Sequence, residues 1–139
     1  MKTNYLMSRY LIKTLVMACT VLSVVSVNAN DEVTRTVPYS EESVAKGALL
    51  FARNCTTCHG NDGKARVDFV ADATDLTDPE RWRNGITEKD IYTSLTKGAG
   101  FDMPPYEYRL LNKDDSWHLI NWIISRWTPE QRAIVLANK

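Results

Sequence analysis

The chain has 139 residues, with 17 basic and 17 acidic side chains. Three of the basic residues and none of the acidic ones fall within residues 1–29, which leaves 14 basic against 17 acidic residues, a net charge of −3, in the rest. That acidic remainder is long enough for one small domain, and its charge argues against nucleic acid or an anionic membrane surface as a partner.

Residues 1–29 have the pattern of a cleavable export signal. An uncharged apolar stretch covers residues 14–27, and the small residues that follow predict cleavage after Ala29. The stretch is shorter than the roughly 20 residues that a membrane-spanning helix needs. A periplasmic protein is therefore expected. The alternatives are an uncleaved membrane anchor that faces the periplasm and lipid attachment at Cys19, and either would bring membrane contact. The basic residues at the start of the signal are Lys2, Arg9 and Lys13.

The most informative stretch is Cys55-Thr56-Thr57-Cys58-His59. Its C-x-x-C-H pattern is typical of covalent haem attachment. Two cysteines three positions apart lie on one face of a helical turn, where their sulfurs can bond the two vinyl groups of one haem. The adjacent His59 can then give its imidazole nitrogen to the iron as the proximal ligand. The motif predicts one haem c, covalently bound through Cys55 and Cys58.

Three other interpretations of this motif are open. A structural zinc site needs four ligands, usually from two cysteine pairs, and the only other histidine is the distant His118. A thioredoxin-like redox pair would follow a strand, whereas the residues before Cys55 have a helical pattern. A plain disulfide between Cys55 and Cys58 is the third alternative. The histidine and the export signal favour haem.

A first helix is predicted after a polar, unpatterned lead-in at residues 30–39, taken as a tether or an extended segment. Ser40 has the character of an N-cap, and apolar residues from Val44 to Phe51 recur at helical spacing. Gly47 in mid-helix costs about 1 kcal/mol relative to alanine. Close approach of another helix would explain it.

Further helices are predicted downstream. Thr87 caps one that ends at Gly98, and Asn112 caps another that runs to about Trp127 and is the natural partner of the Gly47 face. Residues 128–139 are predicted to add an extra short helix that docks on the domain or on a partner. The expected core stripe is Trp117, Ile120, Ile123, Ile124 and Trp127, and the expected docking residues of the last helix are Ala133, Ile134 and Leu136.

Residues 98–106 form the second informative stretch, because their glycines and prolines hold Met103 on a constrained loop. A loop methionine is more often core filler, but the upstream motif reverses that preference, and the Met103 thioether can bind iron on the face opposite His59. A turn at residues 75–79 is expected to start a short helix that contains Trp82. Donors there could bond haem propionates, or could form a solvated face around a core tryptophan. These donors are Arg81, Trp82 and Arg83.

With these motifs in hand, residues 40–127 resemble a small class I cytochrome c, and more narrowly the bacterial monohaem cytochromes. The resemblance implies an all-α, class I cytochrome c fold with helices wrapped around one covalently attached haem c. It also implies that Gly47 and Phe51 on the first helix cross the Trp122-Ile123 pair on the last one. In many members a proline soon after the motif orients the haem histidine, but here the first proline after His59 is Pro79.

The resemblance implies an exported monohaem cytochrome that carries single electrons by outer-sphere transfer between redox partner proteins, and not an enzyme. One alternative is a haem c subunit docked to an exported dehydrogenase or oxidase complex, with the terminal helix as its docking element. Another is a gas-binding sensor or haem enzyme, for which the sequence offers no paired carboxylates and no distal histidine at a readable position. The donor and the acceptor are not identified by the sequence.

Overall fold

A computed structural model describes residues 33–65 and 73–138, and every regular element in these two ranges is helical. The expected all-α fold class is confirmed. The export signal and its cleavage point lie outside the described residues. No helix in the described ranges is long and apolar enough to cross a membrane. The helices are α1 (Glu41–Asn54), α2 (Thr56–His59), α3 (Glu88–Lys97), α4 (Lys113–Ser125) and α5 (Pro129–Ala137), with a 3-10 turn at Pro79–Arg81.

The long helices begin where the sequence predicts, because a side chain at each N-cap accepts a hydrogen bond from a free backbone N–H of the first turn. Ser40 accepts from the N–H of Ser43, and Thr87, Asn112 and Thr128 each form a capping box with the residue three positions on. Two boundaries differ from expectation. Helix α4 ends at Ser125, short of Trp127, and Trp82 lies just after the 3-10 turn and not inside a helix.

Helices α1 and α4 pack in direct contact, and Gly47 is the reason they can. A Cβ atom at position 47 would overlap the backbone carbonyl of His118 and approach the Cβ of Trp122 to 2.8 Å. One turn further on, the Phe51 ring stacks on Trp122, with ring centroids 3.8 Å apart. The expected close approach at Gly47 is therefore confirmed. All five residues of the predicted core stripe are buried.

Residues 33–39 are an extended segment packed on the helices, which agrees with the extended alternative and not with a tether, although the stretch has a pattern that the sequence did not show. Every second side chain is half-buried, but the inward positions mix valine with Arg35 and Tyr39, which hides the alternation from a hydrophobicity pattern. Arg35 pairs with the buried Glu88, Nη2 to Oε1 2.5 Å, and its Nη1 donates to Asn121 Oδ1 at 2.7 Å.

A buried polar network joins this extended segment to α1 and α4. The amide of Asn121, fully buried, donates to the carbonyl of Pro38 at 3.0 Å and to Ser43 Oγ at 2.6 Å. Ser43 Oγ also lies 2.8 Å from His118 Nδ1. His118 is therefore part of this network and is not among the residues that line the cavity described below.

Helix α5 docks through a different residue from those predicted. Val135 is its buried side chain, whereas Ala133 and Ile134 are exposed and Leu136 is partly buried. The cap at Thr128 fixes where the helix starts, and that start turns Val135 toward the core. Of the three predicted docking residues only Leu136 packs against the domain, and contact of Ala133 and Ile134 with a partner stays a prediction.

Candidate haem site

A cavity of about 760 Å³ opens beside α2, and all four predicted cofactor-binding residues line it: Cys55, Cys58, His59 and Met103. The three candidate propionate donors, Arg81, Trp82 and Arg83, line it as well. This volume falls within the roughly 300–1,000 Å³ typical of cofactor sites. The fold therefore brings together residues that are separated by up to 48 positions in the chain (55 to 103).

Helix α2 places the two cysteines and the histidine on a single turn. Cys55 ends α1, with its N–H donating to the carbonyl of Phe51 at 2.9 Å, and then caps α2. The N–H groups of Cys58 and His59 both donate to the carbonyl of Cys55, at 3.2 and 2.9 Å. Both cysteines are half-buried free thiols. The helical turn predicted for the motif is confirmed.

His59 is buried, and its ring has one defined partner. Nδ1 lies 3.0 Å from the backbone carbonyl oxygen of Thr74. Because a carbonyl only accepts, Nδ1 carries the hydrogen and Nε2 keeps its lone pair. Burial lowers the pKa of His59, and the bond to Thr74 only partly opposes that effect. Both effects of the surroundings are compatible with a neutral ring of this tautomer, which can bind a metal through Nε2. The Thr74 carbonyl is therefore the hydrogen-bond acceptor for the histidine ring, in place of a group from a proline soon after the motif.

The carbonyls of residues 74–76 each accept a hydrogen bond from the N–H of an aromatic ring. The first accepts from His59, the second from Trp82 Nε1 at 3.2 Å, and the third from Trp127 Nε1 at 2.8 Å. The two indole rings meet edge to face, 5.6 Å apart. Sequence reasoning missed this arrangement, because a backbone acceptor carries no residue-type signal.

The three candidate propionate donors differ in whether their N–H groups are already used by a partner in the protein. The indole N–H of Trp82 is already used by residue 75, so it is not a spare donor. Arg81 pairs with Asp78, Nε to Oδ2 3.0 Å, on a largely exposed side chain, and Arg83 is exposed. The two guanidinium groups are thus the cationic donors at this edge of the cavity.

Met103 is held by the backbone on both sides. The N–H of Ala99 donates to the Met103 carbonyl at 3.0 Å, which closes the loop. Gly98 has φ of +86°, and a Cβ there would lie 2.6 Å from that carbonyl, so the position requires glycine. Tyr106 anchors the far side, with its N–H bonded to α3 and its hydroxyl donating to the last carbonyl of α1, both at 3.0 Å.

The alternative uses of the cysteines fit this site poorly. Burial, with a smaller contribution from Cys58, raises the pKa of the Cys55 thiol to about 12. A redox nucleophile needs a lowered pKa, and a thioredoxin-like pair would follow a strand and not α1. Among residues 33–65 and 73–138, no group of three His, Cys, Asp or Glu side chains could hold a metal ion together.

The donor set and the cavity wall fit a haem. Two thiols and one imidazole come from one turn, a thioether comes from the loop of Met103, and most of the wall between them is apolar. The apolar part of the wall disfavours extra charge on a group bound against it. The apolar residues of the wall include Phe51, Leu76, Ile91, Leu95, Leu119 and Ile123.

Known proteins match this region of the chain. The model of the family described as "Cytochrome C oxidase, cbb3-type, subunit III" matches residues 42–123, more than half of the chain, which include both the C-x-x-C-H motif and Met103. The FixP subunit of the cbb3-type cytochrome c oxidase from Azorhizobium caulinodans is 37% identical over 73 residues, 52% of this chain and 24% of that protein. The CcoP subunit from Rubrivivax gelatinosus is 31% identical over 84 residues, 60% of this chain and 26% of that protein.

The chain thus spans about a quarter of the length of these relatives. Among solved structures, a chain of the reducing HAO-like protein complex of Kuenenia stuttgartiensis has the same fold, with a TM-score of 0.58 and 21% identity over 66% of this chain and 47% of that one. The family match, which spans the C-x-x-C-H motif and Met103, identifies the chain as a member of the cytochrome c family described as cytochrome c oxidase, cbb3-type, subunit III, with covalently bound haem c as its cofactor.

Proposed function

We propose that this chain is an electron-transfer protein in which Cys55 and Cys58 bind haem c and in which His59 and Met103 are the two axial ligands of its iron. The observation that supports this most strongly is the cavity lined by all four residues, with His59 held in the tautomer whose Nε2 is free. Bound haem c supplies a one-electron couple at its iron.

Each protein group has a distinct role in this proposal. The two cysteine sulfurs hold the haem by thioether bonds, so it is not lost between electron transfers. The hydrogen bond from His59 to the Thr74 carbonyl fixes the ring and raises its basicity as a ligand. The soft, neutral thioether of Met103 favours ferrous iron and so raises the potential relative to two nitrogen ligands. Arg81 and Arg83 are placed to bind propionates at the rim.

Outer-sphere transfer is the reaction that this ligand set supports. If His59 and Met103 both bind the iron, they would leave no position for a substrate, and the bound haem would supply one-electron transfer with little rearrangement of the residues that hold it. A gas sensor or a haem enzyme would instead need one ligand to leave. The backbone bonds that hold the loop of Met103 at both ends favour a ligand that stays.

A role within an oxidase complex is favoured by the relatives, which are named as cbb3-type oxidase subunits. We propose that the chain passes electrons on the periplasmic side of the membrane, either as a free carrier or docked to an exported oxidase or dehydrogenase. Co-purification of the native protein at moderate ionic strength distinguishes these two cases. A stoichiometric larger partner identifies a subunit, and elution as a lone small protein identifies a carrier.

The experiment that tests the proposal is removal of the attachment cysteines. Cys55→Ala combined with Cys58→Ala should abolish haem staining on a denaturing gel, because no thioether bond can form. Thr57→Ala is the matched control, since it changes an exposed residue of the same turn, keeps both thiols and should leave the stain intact. Haem staining that survives in the double variant would show that the attachment site is elsewhere.

A further inference from the structure

We infer that Trp127 is a positioning residue for His59, acting through the chain segment that carries the carbonyl of Thr74. The inference rests on the proposed role of His59 as an iron ligand. Trp127 lies beyond residues 42–123, the region that matches the family, so nothing in that match assigns it a role. Its sequence context predicts only a core tryptophan.

The contact that supports this inference is buried and short. The Trp127 side chain is 4% exposed, and its Nε1 donates to the carbonyl of Leu76 at 2.8 Å. The N–H of Leu76 donates in turn to the carbonyl of Gly63 at 2.7 Å. Leu76 is therefore held through both of its backbone groups. An unmade bond at either group would leave a buried polar atom without a partner.

Fixing Leu76 also restrains Thr74. Two planar peptide units separate the carbonyls of Thr74 and Leu76, and each residue has only two soft dihedral angles. Between them, the carbonyl of residue 75 is held by Trp82, whose ring packs edge to face on Trp127. The acceptor of His59 thus sits at one end of a segment fixed by two indole N–H groups.

Loss of this restraint should change the electronic character of His59. A well-placed carbonyl acceptor raises the basicity of a metal-bound imidazole, which stabilises the ferric state. If the segment loosens, the hydrogen bond from Nδ1 lengthens and the ferrous state gains. The reduction potential should therefore rise. Loss of a residue that hydrogen-bonds a metal ligand typically changes metal affinity or activity about 10- to 100-fold. Trp127 acts one step further away, so we expect its loss to change the redox equilibrium constant by at most about tenfold, which is about 59 mV for one electron.

The test compares Trp127→Phe with Trp117→Phe in the haem-loaded protein. Both variants keep a buried aromatic ring and lose an indole N–H, but Trp117 is not among the residues that line the cavity, and its ring stacks on Tyr92 with centroids 5.0 Å apart. Both should lower stability. Only Trp127→Phe should raise the reduction potential and shift the NMR signal of the His59 Nδ1 proton.

An unchanged potential and an unchanged His59 signal in Trp127→Phe, with destabilisation like that of Trp117→Phe, would overturn the inference while leaving the proposed function intact. Failure of the wild-type protein to bind haem covalently would instead overturn the proposed function. If Trp127→Phe does not fold, hydrogen exchange in the wild type decides. Matched slow exchange of the Trp127 Nε1 and His59 Nδ1 protons supports the inference. If the Trp127 Nε1 proton exchanges orders of magnitude faster than the His59 Nδ1 proton, the inference is contradicted.

Discussion

The chemistry of the site depends on side chains whose hydrogen bonds fix their state. His59 has a proton on Nδ1 because its partner there is a carbonyl, and burial favours the neutral ring by lowering its pKa. Met103 has no such partner, and its position comes from backbone bonds on either side. The proposed ligands are thus held by the chain around them and not by each other.

Met103→Ala should open the sixth coordination position and lower the reduction potential, because the thioether that favours ferrous iron is lost. Leu49→Ala, which removes an exposed apolar side chain of α1 away from the cavity wall, is the control and should keep the wild-type potential. The two quantities to measure are the potential by redox titration and the binding of an added ligand by absorption. A wild-type potential and spectrum in Met103→Ala would show that Met103 is not a ligand.

Asp75→Asn should remove a pH-dependent part of the stability. Slight burial raises the pKa of Asp75, but hydrogen bonds from the hydroxyl and the N–H of Thr77 and the nearby Lys64 and Arg81 outweigh it, so the pKa lies below its usual value of about 3.9. The folded state then binds protons less readily than the unfolded state. The stabilisation is complete above about pH 4 and is lost as the pH falls through the lowered pKa.

The measurement for Asp75 is the free energy of unfolding of the wild type and the Asn variant between pH 2 and pH 6. The difference between the two should shrink as the solution is acidified. A difference that stays constant across this range would contradict the assignment of a lowered pKa to Asp75.

At the scale of the elements, the crossing helices α1 and α4 form part of the cavity wall. Phe51 and Ile123, one from each helix, line the cavity, and both lie within two turns of the close contact at Gly47. Cys55 follows α1 immediately, so the direction of α1 also decides where the attachment turn begins. Separating these helices should disturb the site as well as the core.

Gly47→Ala should change the free energy of unfolding in opposite directions through helix propensity and through packing. Propensity alone would stabilise the protein by about 1 kcal/mol. The Cβ atom, however, would overlap the backbone carbonyl of His118, and overpacking of this kind typically costs about 1–3 kcal/mol. We expect a net loss in the free energy of unfolding, measured by denaturant titration.

Ala45→Gly is the control for Gly47→Ala, because Ala45 is an exposed position of the same helix. It should lose about 1 kcal/mol from propensity alone. A Gly47→Ala variant more stable than the wild type would show that the helices do not cross as closely as described.

The elements also show what the sequence could predict. Caps at Ser40, Thr87, Asn112 and Thr128 located the helix starts, because capping depends on side chains that a sequence displays. The inward face of α5 was not predictable from the same signals, since a short helix with apolar residues on several sides can dock through any of them. The carbonyl of Thr74 had no signal, because any residue type supplies one.

At the scale of the whole molecule, the extended segment at residues 33–39 is part of the domain. Arg35 contacts α3 through Glu88, α4 through Asn121 and the face of Trp117, with the guanidinium 5.0 Å from the ring centre. Arg35 occupies an inward position of the alternating segment, but a charged residue does not count as inward in a hydrophobicity pattern. Hydrophobic patterning alone therefore did not predict that this segment packs on the helices. A charged side chain placed inward needs partners that only the folded structure reveals.

Arg35→Met should be strongly destabilising, because it leaves the buried carboxylate of Glu88 without its cation. Removing one member of a buried pair costs about 3–5 kcal/mol. The side chains of the pair are only 13% and 9% exposed. Arg35→Met combined with Glu88→Gln should recover part of that loss, measured by chemical denaturation of all four members of the double-mutant cycle. Strictly additive losses would show that the two side chains do not interact.

The central claim is that a covalently bound haem has both axial positions filled by His59 and Met103. The most direct test is the absorption spectrum of the purified, reduced protein before and after addition of carbon monoxide. A low-spin spectrum that carbon monoxide leaves unchanged is the predicted result. A shifted Soret band would contradict the claim, since it would show that the sixth position is open to ligands and that sensing or catalysis has to replace electron transfer as the function.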